Sequence, residues 1–60
     1  MNALLLALTV SWQCHARPLI GLDNFLGIAP TRSAAVDVAM QACYAHGHVG
    51  CYIQYCELRP

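Results

Sequence analysis

The sequence of 60 residues contains no lysine, and charged residues make up only 10% of it. Three arginines balance three acidic residues, so the formal net charge is zero at pH 7. Binding to nucleic acid and binding to a membrane through a basic patch both require a positive electrostatic field. This chain has no such field, so we expect no nucleic-acid partner, and a cationic antimicrobial peptide is disfavoured for the same reason.

The chain also lacks an apolar run of the roughly 20 residues that a transmembrane helix needs, so no stable transmembrane span is expected. Its longest apolar run covers only residues 3–10, and it is followed by a more polar stretch and then by Cys14-His15-Ala16. Small residues at the first and third positions of this tripeptide, here Cys14 and Ala16, are typical of a signal-peptide cleavage site. We therefore predict a secretory signal peptide over residues 1–16, cut between Ala16 and Arg17. No basic side chain precedes the apolar run, and a buried helix of an intracellular microprotein is the alternative.

Removal of this leader would leave about 44 residues, close to the size at which a hydrophobic core alone fails. Such a chain needs a cross-link, a partner or a membrane for stability. In the oxidising compartments of the secretory route, disulfides are the expected cross-link. Three cysteines would remain after the cut, because Cys14 would leave with the leader.

Residues 17–32 form a separate apolar segment bounded by prolines. Two tetrads, 19–22 and 25–28, carry glycine at the same place and flank Asp23-Asn24. That pattern can form a hairpin with a two-residue turn. Because so short a hairpin is marginal in water, we favour an irregular arm or propeptide-like spacer. A single-arginine cut after Arg32 would instead release residues 33–60 as a peptide.

The strongest helix signal after the leader covers residues 33–45, where alanine, the best helix former, occurs five times. Gly47 supplies a stop. Residues 51–58 fit either a strand, by their tyrosine and isoleucine content, or a short helix. We favour a short helix because a single strand would have no certain partner. The predicted fold class is therefore a small, mainly-α, disulfide-linked helical hairpin in residues 33–60, with a turn at 46–50.

The remaining cysteines and both histidines outside the leader lie between residues 43 and 56. Cys43, His46, His48 and Cys51 have a spacing that suits tetrahedral zinc, although disulfide formation competes for the same thiols. We favour a Cys43–Cys51 disulfide, with Cys43–Cys56 as the alternative. An odd cysteine in a secreted chain suggests intermolecular pairing. Cys56 is thus the candidate for a disulfide-linked homodimer.

These features predict only a broad class of function. A catalytic Cys/His pair would need a pocket that so few residues cannot close, so no enzyme activity and no cofactor are predicted. Tyr44, Tyr52 and Tyr55 are candidate recognition residues, since rigid aromatics anchor interfaces well. The expected function is that of a secreted, non-enzymatic ligand, a peptide signal or toxin-like effector, of an unknown extracellular protein or receptor. The alternatives are a self-assembling secreted protein, a zinc-stapled intracellular microprotein and a chain without a stable fold.

Overall fold

The computed structural model describes residues 10–60, which form three strands and one helix. In chain order these are β1 (Ser11–Arg17), β2 (Phe25–Ala29), α1 (Arg32–Ala45) and β3 (Tyr52–Arg59). The strands form one antiparallel sheet in the order β2-β1-β3, with β1 in the centre. Because β2 and β3 both run antiparallel to β1, they are parallel to each other. Helix α1 makes the long crossover connection that such a parallel pair requires.

The prediction of a mainly helical hairpin is wrong, because the described residues form a β-rich fold with a single helix. The error lies at residues 51–58, which are a strand rather than a second helix. The sequence leaves a strand there as the less favoured alternative, because no partner for it is evident. Its partner is β1, and all of β1 except Arg17 lies within the predicted leader.

The segment 17–32 also differs from the arm or spacer that the sequence suggested. Phe25–Ala29 is a strand, and it pairs with β1 rather than with the apolar tetrad at 19–22. Residues 18–24 connect the two strands as a loop.

The predicted leader falls partly within this fold. Its first nine residues lie outside the described part of the chain. Its last residues belong to β1, and a cut after Ala16 would leave only Arg17 of that seven-residue strand. Since β2 and β3 each pair with β1, the sheet and the predicted cleavage are mutually exclusive.

Helix α1 has a defined cap at each end. The Thr31 side chain accepts a hydrogen bond from the backbone N–H of Ala34 at 3.2 Å, which satisfies one of the free amides of the first turn. At the other end, Gly47 adopts φ +86°, and its N–H donates to the carbonyl of Tyr44 at 2.9 Å. A glycine in this left-handed conformation is the usual helix terminator.

The core between α1 and the sheet consists of small side chains. Five residues have no exposed surface: Cys14, Ala16, Ala35, Ala39 and Cys43. Larger side chains such as Trp12, Phe25 and Ile53 are partly buried around them. Small side chains allow the helix backbone to approach the sheet closely, and Gly27 of β2 is one point of close approach. A Cβ atom there would overlap the backbone of Ala35 and Ala39.

The opposite face of the sheet has no layer covering it among the described residues. Side chains alternate between the two faces along a strand, and directly paired residues share a face. Because Cys14 and Ala16 face α1, their neighbours in β1 face away from it. The residues that the register places on this open face are Gln13, His15, Arg17, Leu26, Ile28, Tyr52, Tyr55 and Glu57.

Candidate functional site

Two disulfides connect the elements of the fold, and they use all four cysteines of the chain. One joins Cys43, near the end of α1, to Cys51, just before β3. The other joins Cys14 to Cys56, which lie directly opposite each other in β1 and β3. Cys56 is therefore bonded within the chain, and an odd thiol arises only if the chain is cut after Cys14, as the predicted cleavage would do.

The proposed zinc ligands do not come together as a metal site. Cys43 and Cys51 are bonded to each other, so they offer no thiolate. Within residues 10–60, no group of three or more histidine, cysteine, aspartate or glutamate side chains is placed to hold a metal ion. His46 and His48 have other contacts.

These two histidines hold the turn at 46–50 in place. Nδ1 of His46 donates to the carbonyl of Ala42 at 2.9 Å, at the free carbonyl end of α1. Nε2 of His48 lies 2.9 Å from Oδ2 of Asp23, so it joins the turn to the loop after β1. The ring of Phe25 contacts both imidazoles, with centroid separations of 4.9 and 5.5 Å. Their observed role is structural.

The three tyrosines divide between two surfaces. Tyr52 and Tyr55 lie on the open face of the sheet, with 45% and 48% of their surface exposed. Tyr44 projects from α1, and 50% of its surface is exposed. The structure therefore brings together two of the three tyrosines that the sequence suggested for recognition.

His15 is part of this surface, and reasoning from the sequence missed it because it lay in the predicted leader. Its ring stacks on that of Tyr55, with centroids 4.4 Å apart and planes 18° apart. The amide nitrogen of Asn24 lies 3.4 Å from Nδ1 of His15. Because an amide nitrogen can only donate, this contact favours Nδ1 as the acceptor. The alternation of apolar and polar residues in β1 was the signal that could have found it.

We call His15, Leu26, Ile28, Tyr52 and Tyr55 the recognition surface. Leu26 and Ile28 are about half exposed, like the two tyrosines. Polar and charged side chains of the same face lie next to this group, namely Gln13, Arg17 and Glu57. Protein–protein interfaces combine apolar and aromatic residues with polar residues in this way. Within residues 10–60, no pocket is found.

Residues 10–60 thus form a small disulfide-linked unit with one sheet, one covering helix and one open sheet face. No protein-family model, no curated protein and no solved structure matches it. Two disulfides in so small a chain are compatible with an extracellular location. Among residues 10–60, no helix has the length and apolar character needed to cross a membrane.

Proposed function

We propose that the protein is exported and acts without catalysis, as a ligand of an extracellular protein that it contacts through the recognition surface. The observation that carries this proposal is the row of stacked and neighbouring aromatic and aliphatic side chains on the uncovered face of a cross-linked sheet. The fold requires β1, so the exported form must retain residues 11–17.

Rigidity supports a binding role. Tyr52, Tyr55 and His15 stand on paired strands rather than on loops, and the Cys14–Cys56 disulfide joins those two strands. A side chain that is already ordered loses less conformational entropy when a partner covers it. Tyrosine is also one of the residue types in which binding energy is concentrated. Such a surface suits a ligand that does not change shape on binding.

A self-assembling secreted protein is the second candidate, and the edges of the sheet favour it. β3 is an eight-residue strand with one side unpaired in the described structure, and proline follows only after its end. An unprotected edge of this length is a template for pairing with another chain. Sedimentation of the oxidised protein over a range of concentrations separates the two candidates, since a ligand of another protein stays monomeric.

We predict that Tyr55→Ala weakens binding to the surface of cells from the source organism by about 30-fold, the loss typical of an aromatic anchor. Tyr44→Ala is the matched control: a tyrosine of similar exposure on α1, expected to change affinity less than about two-fold. Because the chain has no lysine, an amine-reactive dye labels only its N-terminus, and the labelled protein can be titrated directly.

The expected binding is saturable, and protease treatment of the cells abolishes it. Equal affinities for the Tyr55→Ala and Tyr44→Ala variants would contradict a role for the recognition surface. Binding that survives protease treatment would contradict a protein partner.

A further inference from the structure

Four aliphatic side chains are far more exposed than any other large apolar residue among residues 10–60. Leu22 is 91% exposed, Ile20 86%, Val49 77% and Leu19 73%, and the next values are 52%. We call these four residues the apolar tip. None of them belongs to the recognition surface.

The apolar tip is one structural unit, although its residues come from two segments. Leu19 covers Gly50, where an added Cβ would lie 2.6 Å from its Cδ1 atom. The contact between His48 and Asp23 joins the same two segments at 2.9 Å. The loop after β1 and the turn after α1 therefore project together at one end of the molecule.

We propose that the apolar tip inserts into the interfacial layer of a lipid bilayer. Leucine and valine are under-represented among the residues that dominate protein–protein binding, whereas transfer of aliphatic side chains out of water needs no specific partner. Side chains that are 73–91% exposed project outward from the protein surface. A bilayer accepts such a projection without a preformed cavity.

The charges near the apolar tip fit shallow insertion. Asp23, the acidic residue of the loop, is hydrogen-bonded to His48, which reduces the cost of bringing it near lipid. On the other side Arg17 precedes the loop, and Tyr52 lies opposite Arg17 in the sheet. Arginine and tyrosine are common anchors at the level of the lipid headgroups, and Arg17 offers a positive charge to their phosphates.

The loop backbone limits the depth of insertion, since residues 18–24 form no regular hydrogen-bonded structure. Unpaired backbone groups are not tolerated in the hydrocarbon interior. The contact is therefore weak and reversible, like that of a single acyl chain with a binding constant of about 10⁴ M⁻¹. It needs no basic patch, and apart from Tyr52 it uses no residue of the recognition surface.

The test is co-sedimentation of the full oxidised chain with vesicles of phosphatidylcholine. The double variant Ile20→Ser/Leu22→Ser should lower vesicle binding at least about 30-fold, because two highly exposed aliphatic side chains are lost. Ile28→Ser, which removes an exposed aliphatic group from the recognition surface, is the matched control and should leave vesicle binding within about two-fold. Equal binding by the double variant would overturn the proposal, because another part of the chain would then carry it.

A second measurement reports insertion directly. On a Trp12→Phe background, Ile20→Trp should show blue-shifted emission and strong quenching by brominated lipids, whereas Leu58→Trp, at the far end of the sheet, should show neither. Equal quenching at both positions would overturn the proposal. So would vesicle-free self-association that the Ile20→Ser/Leu22→Ser variant abolishes. Tyr55→Ala should retain vesicle binding, so failure of the protein-partner proposal can be distinguished from failure of this one.

Discussion

Replacement of Gly27 by alanine is expected to destabilise the protein by about 3 kcal/mol or more, the upper range for overpacking a core. The added Cβ would overlap backbone atoms of Ala35 and Ala39 and lie 2.9 Å from the Ala39 side chain. Backbone atoms cannot rotate away as a flexible side chain can, so α1 would have to move off the sheet. For a domain of this size the total stability is only about 3–8 kcal/mol.

Urea unfolding of the oxidised protein, followed by circular dichroism, measures this loss. Gly47→Ala is the matched control, because nothing lies within 4 Å of a Cβ at that position. The Gly47→Ala variant should lose only about 1 kcal/mol of unfolding free energy, the cost of holding alanine in the left-handed backbone conformation. Similar losses of unfolding free energy for the two variants would show that α1 does not pack closely against β2.

Removal of the Cys14–Cys56 disulfide, by serine at both positions, is expected to cost about 4 kcal/mol. This bond closes a loop with a sequence separation of 42 residues, against 8 for Cys43–Cys51. In the chain-entropy model the longer loop restrains the unfolded chain more, and the shorter bond contributes about 2.5 kcal/mol. Since a loss of about 4 kcal/mol is comparable to the whole stability of such a domain, the Cys14→Ser/Cys56→Ser variant should be largely unfolded.

The Cys43→Ser/Cys51→Ser variant is the control, and it should retain more of the strand signal in circular dichroism. The free energies of unfolding of both double variants should be compared with that of the oxidised parent. If the variant without Cys14 and Cys56 proves the more stable of the two, β1 is not a central part of the fold.

The helix was predictable because its signals are local. Alanine-rich residues end at Gly47, and α1 accordingly runs from Arg32 to Ala45. The Cys43–Cys51 bond of the structure joins two residues on either side of the glycine-containing turn. Both features depend on residues within about a dozen positions of each other, where sequence spacing translates directly into geometry.

The central strand was missed because two different requirements select the same residues. A signal-peptide cleavage site needs small side chains at alternate positions, here Cys14 and Ala16. Close packing of a helix on a strand needs small side chains on one face of that strand, which are also alternate positions. In the structure both residues are completely buried against α1. When these residues are assigned to a leader, β3 loses its partner strand β1 and Cys56 loses its disulfide partner Cys14.

The misreading of β2 has a similar origin. In the sequence Gly27 belongs to a repeated tetrad, but in the structure it admits the backbone of α1 at a distance that any side chain would prevent. That contact joins residues of β2 and α1 that no local pattern connects. Of the recognition surface, likewise, the sequence indicated only Tyr52 and Tyr55. His15, on which Tyr55 stacks, is 40 positions away along the chain.

Disulfide mapping of the purified protein tests most directly whether residues 11–17 form the central strand. The protein is purified under alkylating conditions, its intact mass is measured, and it is digested with trypsin and chymotrypsin without reduction. Cleavage after Arg32 and after the tyrosines separates all four cysteines into different peptides. The structure predicts two linked pairs, Cys14 with Cys56 and Cys43 with Cys51. A chain that begins at Arg17, with Cys56 alkylated or bonded to a second molecule, would contradict this fold.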